Sequence, residues 1–348
     1  MRNIRAALAG LILALAGPVM PARGYEIEAS AHFGPPDAAR RLAVLSTTDI
    51  DFLRPVIEGW LARTPGIGLD YTLASSQEVY RAIAEEGAVF DVVISSAMDL
   101  QMKLANDGFA RPLPAEMLRT RPDWSRWRNL LVAVAQEPVT MILSDHALDG
   151  GLPMPHTRRD LIALLRDHPD RFRGRVGTYD PEVSGAGYLF AAQEARLSDT
   201  FWRLAEVMGR LDARLFCCSG DMIAAVRQGD LLIAYNVLGS YAAADGRTAP
   251  GFVVVEPEDF TLTLLRTALV PRGAADPTTA EAFVAFLLSP GGQQLISAAA
   301  GLPAIDAGAF ALKPYLRPIR LDPGLLAPLD RISRQGFLAE WRAAMDQP

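Results

Sequence analysis

The chain has 348 residues, half of them hydrophobic and 21% charged, with a formal net charge of −6. That length exceeds what one hydrophobic core usually sustains, so two domains are expected. Mild acidity with both signs mixed along the chain excludes a nucleic-acid surface or a polybasic membrane patch. The two cysteines, Cys217 and Cys218, are adjacent. They cannot form a disulfide framework, and because a bond between neighbours is strained they read as two ordinary thiols.

Residues 1–24 read as an export signal. Arg2 and Arg5 precede an apolar run over 6–16, Pro18 breaks it, and small residues follow at Ala22 and Gly24. The run is too short to span a bilayer, and no later stretch is long enough. No cysteine follows it, so a lipid anchor is not expected. The mature protein is expected to be soluble in the periplasm.

Three strand-turn-helix units come next. Residues 41–45 form an apolar strand, Ser46-Thr47-Thr48-Asp49 supplies N-cap chemistry, and Ile50, Leu53, Ile57, Trp60 and Leu61 share one helical face. Residues 67–73 alternate as a strand, and Ser75-Ser76-Gln77-Glu78 offers a capping box before the helix that carries Val79 and Ile83. Residues 90–94 make a third strand, followed by Ser95-Ser96 and a helix over 98–106 that ends at Gly108. Repetition of this grammar implies βαβ units on a parallel sheet.

Residues 130–143 are a long, partly apolar segment suited to leaving the first lobe, and a second α/β block follows. Its strands are expected at 175–178, 213–216 and 231–235, with helices over 188–196 and 221–227, the latter capped by Ser219. Residues 261–270 read as the return crossing, and the pattern is helical from Thr278. The expected domains are therefore lobe 1 over 39–134, lobe 2 over 135–261, a return to lobe 1 over 262–304, and a tail over 305–348 packing as short helices on the body.

In open parallel sheets ligands sit beyond the carboxyl ends of the strands. Thr47, Thr48, Ser75, Ser76, Ser95 and Ser96 lie at that edge, each pair at a helix N-terminus where free amides and the helix dipole favour anions. Ser184-Gly185-Ala186-Gly187 does the same in the second block, its glycines permitting close backbone approach. Any one such serine is more often a simple cap; it is the recurrence that points to a cleft. Tyr235-Asn236 after the 231–235 strand offers a phenol and an amide, and Ser240-Tyr241 follows closely. Asp180 and Glu182 could meet a cationic portion of a ligand, though solvated loop charges are commoner, and Arg214 could neutralise an anion. The four histidines are scattered, with no metal-ligand spacing, and no nucleophile elbow, Walker loop or dinucleotide fingerprint is present. No metal or cofactor is expected. A serine hydrolase using Ser184 is the enzymatic alternative, and it lacks a base.

Residues 283–293 (FVAFLLSPGGQ) and Gly301-Leu302-Pro303-Ala304 resemble the C-terminal signature of extracellular solute-binding proteins of ABC importers. Residues 91–99 (DVVISSAMD) and 233–241 (IAYNVLGSY) resemble the subgroup with ferric-ion, phosphonate and phosphoglycerate-type binding proteins. The resemblance implies a type II periplasmic-binding fold: two α/β lobes joined by two crossing strands, with the ligand cleft between them. It also implies a non-catalytic monomer that closes about a hinge. Its partner would be an inner-membrane ABC permease with its ATPase, or alternatively a membrane sensor histidine kinase. Carried onto this chain, the ligand contacts are Thr47, Thr48, Ser76, Ser96, Ser184, Gly185, Ala186, Tyr235 and Asn236. Ferric binders of the group use two consecutive tyrosines where Tyr235 is followed by Asn236. A ferric site is thus incomplete by resemblance, and a small organic anion is favoured, with phosphorylated or phosphonate compounds ahead of simple carboxylates.

Overall fold

The computed structural model of the chain describes residues 24–242, 251–298, 303–305 and 308–347. The expected signal peptide lies outside them save for Gly24. The described strands are β1 (Ala29–Phe33), β2 (Arg40–Ser46), β3 (Ile67–Leu73), β4 (Val92–Ser95), β5 (Arg126–Trp127), β6 (Leu131–Ser144), β7 (Val176–Tyr179), β8 (Arg214–Phe216), β9 (Ile233–Leu238), β10 (Phe252–Val255), β11 (Thr261–Leu269) and β12 (Leu316–Pro318). They join in the order β1-β3-β2-β4-β11-β6-β9-β7-β8, with β5 and β10 on β6 and β12 on β11.

The order contains the same motif twice. In lobe 1, β3, β2 and β4 are parallel and β11 runs antiparallel beside β4. In lobe 2, β8, β7 and β9 are parallel and β6 runs antiparallel beside β9. Both central strands are apolar on both faces, as strands covered by helices on either side must be. Every residue of β4 and of β9 is buried. The doubled arrangement is the type II periplasmic-binding architecture.

Strand β6 serves both lobes. Thr263 pairs with Pro138 on the lobe 1 side, and Val139 already pairs with Leu238 in lobe 2. The partner change therefore falls between Pro138 and Val139. Proline brings no amide to a ladder, so it suits the place where one sheet hands over to the other. The chain returns through residues 256–260 from β10, which pairs with β6, to β11.

Helix Ile50–Leu61 buries Leu53, Val56, Ile57 and Trp60, one face of an amphipathic helix set against the lobe 1 sheet. Helix Met98–Asn106 is different. It buries Met98, Asp99, Leu100, Gln101, Met102, Leu104 and Ala105, nearly its whole circumference. One core cluster is continuous across the lobes, holding Leu45, Met98 and Met102 from the first with Val139, Phe190 and Met222 from the second.

Beyond the return, the tail crosses back. Strand β12 pairs in parallel with the start of β11, and the ring of Phe310 meets Trp124 edge-on at 5.2 Å. Helix Arg331–Met345 then packs on helix Thr200–Arg210 of lobe 2, where Phe201 and Trp341 stack at 5.9 Å between ring centres. This helix has 15 residues, longer than the short helices expected from the proline-rich sequence before it. Asp330 caps it, accepting from the amides of Ile332 and Ser333.

Candidate functional site

All six turns at the carboxyl ends of β2, β3, β4, β7, β8 and β9 converge on one cavity of about 360 Å³ between the lobes. Lobe 1 contributes Thr47, Asp49, Ser75, Ser76 and Ser96, with Glu28 from just before β1. Lobe 2 contributes Ser184, Ala186, Ser219, Asp221 and Tyr241, with the sulfurs of Cys217 and Cys218. Arg266 of β11 lines it as well.

Local chemistry fixes these turns. The amide of Ser96 donates to Thr47 Oγ1 at 3.1 Å and the amide of Thr47 to the Ile94 carbonyl at 3.1 Å, so neighbouring strand ends hold each other. Ser75 caps helix Ser76–Ala84 by accepting from the Glu78 amide at 3.3 Å, and Ser184 caps helix Gly185–Leu197 by accepting from the Gly187 amide at 3.1 Å. These two hydroxyl oxygens are engaged as caps. The amides that follow Ser184, those of Gly185 and Ala186, have no acceptor among the described residues. They are the orphan donors of a helix start, and they lie beside the cavity.

The two helix starts also meet. A Cβ placed on Gly185 would lie 2.4 Å from Ser76 Oγ and 3.3 Å from Ser76 Cβ. Lobe 2 therefore touches lobe 1 at this point across the cleft, and only a glycine leaves the space.

Thr47, Ser76, Ser96, Ser184 and Ala186 line the cavity, with Gly185 against Ser76. The remaining three of the nine expected ligand contacts do not line it. Thr48 is buried, and its Oγ1 accepts from the Arg266 guanidinium. Tyr235 lies in the lobe 2 core, where its hydroxyl donates to Glu194 Oε2 at 2.8 Å and accepts from Arg158. Arg158 in turn contacts Glu194 at 2.6 Å and Asp259 at 3.1 Å. Asn236 is buried in left-handed backbone at φ 66°, within the stretch where Tyr235 and Asn236 of β9 stand against Met141 alone in β6. Two residues of β9 thus stand against one of β6, a bulge, and the Tyr235 ring packs in the lobe 2 core with Met141 and Ile233. Glu182 is held at the surface by Arg342 at 2.6 Å, and Arg214 lies 3.9 Å from Asp230.

Several cavity residues had no role in the sequence argument. Arg266 and Glu137 are 1% and 0% exposed and form an ion pair at 2.7 Å, with Ser240 donating to the other Glu137 oxygen. Burial alone disfavours the Arg266 charge, but the adjacent Glu137 carboxylate more than offsets this and raises its pKa. A signal existed: each is the single charge in a long apolar strand, and opposite charges so placed must find each other. Asp49 precedes helix Ile50–Leu61 without capping it and faces the cavity. Partial burial, then the nearby charges of Asp49 and Glu26, raises the Glu28 pKa.

Cys217 and Cys218 are joined as a disulfide, which corrects their reading as two thiols. The Asp221 carboxylate lies 3.3 and 3.4 Å from the two sulfurs. Among the described residues this is the one grouping of three His, Cys, Asp or Glu side chains close enough to share an ion, and its sulfurs are already bonded to each other. Among the described residues no histidine lines the cavity beside the Ser184 hydroxyl.

Residues 42–301 match the family described as bacterial extracellular solute-binding protein. The substrate-binding protein of an ABC transporter from Agrobacterium tumefaciens is 31% identical, with a TM-score of 0.86, over 91% of this chain and 98% of that one. AfuA from Actinobacillus pleuropneumoniae, solved with fructose-6-phosphate bound, is 16% identical with a TM-score of 0.71, over 89% of this chain and 100% of that one. Iron-bound HitA from Pseudomonas aeruginosa is 18% identical with a TM-score of 0.66, over 88% of this chain and 99% of that one. These last two likenesses are of fold. No curated protein matches the sequence.

Proposed function

The chain belongs to the bacterial extracellular solute-binding proteins, and from that premise we propose that it captures a small organic anion by closing two lobes around it. Phosphorylated and phosphonate compounds are favoured over simple carboxylates. The closed protein delivers its ligand to an ABC permease driven by a separate ATPase. Residues 1–24 direct export to the periplasm, and the mature chain acts as a monomer.

The observation that carries this reading is the pair of helix starts facing each other across the cavity, Ser76 on one lobe and Gly185 on the other. The orphan amides of Gly185 and Ala186 supply donors and a positive dipole end for an anionic group. Thr47, Ser76, Ser96 and Ser184 supply the hydroxyl surroundings. A ligand that reaches donors on both lobes binds only the closed form fully, and that differential affinity draws the population toward closure. Thr48 acts at one remove by holding Arg266. Tyr235 and Asn236 shape the strand that leads to the lobe 2 rim.

A thermal-shift panel of phosphonates, sugar and glycerate phosphates and dicarboxylates identifies the ligand, since saturation at about 100 times Kd adds about 2.7 kcal/mol of stability. Titration calorimetry then tests the site. Ser96→Ala with Ser184→Ala should weaken binding about tenfold or more, while loss of the Ser184 cap costs about 1 kcal/mol of stability. Unchanged affinity in the double variant would remove these hydroxyls from the site.

A further inference from the structure

The charges around the cavity do not match a purely anionic guest. Three carboxylates line it, Glu28 and Asp49 from lobe 1 and Asp221 from lobe 2, and none has an ion-pair partner among the described residues. Arg266, the cation that lines the cavity among those residues, is already neutralised by Glu137 behind it. Bringing the lobes together crowds three like charges into a partly desolvated space, which opposes closure unless something positive sits among them.

Independent features of the same wall point the same way. Tyr241 lines the cavity, is half-buried, and its hydroxyl has no hydrogen-bond partner among the described residues. Burial pushes its pKa far above the ordinary phenol value, so it stays neutral and offers an acceptor oxygen, while its ring packs on Phe52 with centroids 4.7 Å apart. The Cys217–Cys218 sulfurs beside Asp221 give a polarizable surface that suits a short alkyl chain next to an ammonium group.

We propose that the ligand carries a cationic nitrogen as well as its anionic group, so that the guest is a compact zwitterion whose positive end is met by Glu28, Asp49 and Asp221 from both lobes. This rests on the receptor reading above and narrows its ligand class. The helix starts take the anionic group; the carboxylates and the phenol take the cation. The cation thereby removes the repulsion that opposes closure.

Calorimetry with matched pairs tests it: 3-aminopropylphosphonate against propylphosphonate, 4-aminobutyrate against butyrate, and putrescine as an amine without an anionic group. Each zwitterion should bind at least about tenfold more tightly than its deaminated match. Glu28→Gln with Asp49→Asn should shrink that preference to less than about threefold without weakening the deaminated compound, and Asp221→Asn alone should shrink it in part. These carboxylates are exposed or half-buried, so the variants should keep their melting temperatures. Deaminated compounds that bind as tightly as the zwitterions would overturn the cationic seat and leave the anion receptor standing. Tightest binding by putrescine would support the cationic seat and overturn the anionic one. A panel in which no amine binds overturns the inference.

Discussion

Asp99 shows what a single buried side chain imposes. It sits in the first turn of helix Met98–Asn106, 2% exposed, with the Leu100 amide donating to it at 2.9 Å. Burial raises its pKa to about 7, and that amide and the more distant Arg334 lower it only in part. The raised value sets the sign of the pH effect. Below the unfolded value of about 4 both states hold the proton, and between about 4 and 7 the unfolded chain releases it while the folded chain does not. Stability should therefore fall as pH rises through that window, at up to about 1.4 kcal/mol per pH unit. Asp99→Asn should remove this dependence, and urea midpoints of the two proteins should diverge steadily from pH 4 to 7. Parallel curves would show that Asp99 ionises normally. At this scale the sequence was half legible. Hydroxyls at Thr47, Ser76, Ser96 and Ser184 were readable because strand, turn and helix follow one another locally. Tyr235 was not placed by sequence, because it sits in a bulge of its own strand, and which way its phenol faces depends on the pairing with a distant strand.

Among the elements, the βα units were the most readable, since apolar period and N-cap chemistry are both written locally. Helix Met98–Asn106 begins and ends where those signals fall. Helix Gly185–Leu197 begins three residues before the expected Tyr188, because Ser184 caps it and its glycines belong to the first turn, not to the preceding loop. Strands β1, β10 and β12 carried no usable signal: four or five residues or fewer at a sheet edge are defined by the strand they pair with. In the proposed closure, the start of helix Gly185–Leu197 is where lobe 2 meets Ser76 of lobe 1. Gly185→Val should weaken ligand binding by about 1–3 kcal/mol, because its side chain must displace Ser76 or hold the lobes apart. The ligand-free protein can open to relieve that clash, so its melting temperature should change little. Adding Ser76→Gly should restore part of the lost affinity in a double-mutant cycle; additive effects would mean that the two helix starts do not meet in solution.

For the whole molecule, the two-lobed α/β plan followed from repetition, and the crossing segments from their length and apolar content. What stayed hidden was the seam. Nothing local reveals that β6 changes partners at Pro138, because that depends on β9 and β11, strands about a hundred residues away or more in the chain. The buried Arg266–Glu137 pair lies on the same two crossing strands and ties them together beneath the cavity. Its members cannot be removed one at a time without stranding a charge. Small-angle scattering should give a larger radius of gyration for the ligand-free protein than for the saturated one. Superimposable curves would mean that the lobes do not move.

The C-terminal segment bears on the movement proposed above. It is fastened to β11 through Leu316–Pro318 and to helix Thr200–Arg210 through Arg331–Met345, and the Tyr188 hydroxyl grips the Pro328 carbonyl between them. The halves are thus spanned by three runs of polypeptide, the third starting on one of the other two and ending on the outer helix Thr200–Arg210. Two straps side by side allow a plate to swing and to twist, whereas a third that ends elsewhere on the plate leaves it a narrower arc. Whatever docks on the shut form would then meet the same outline each time.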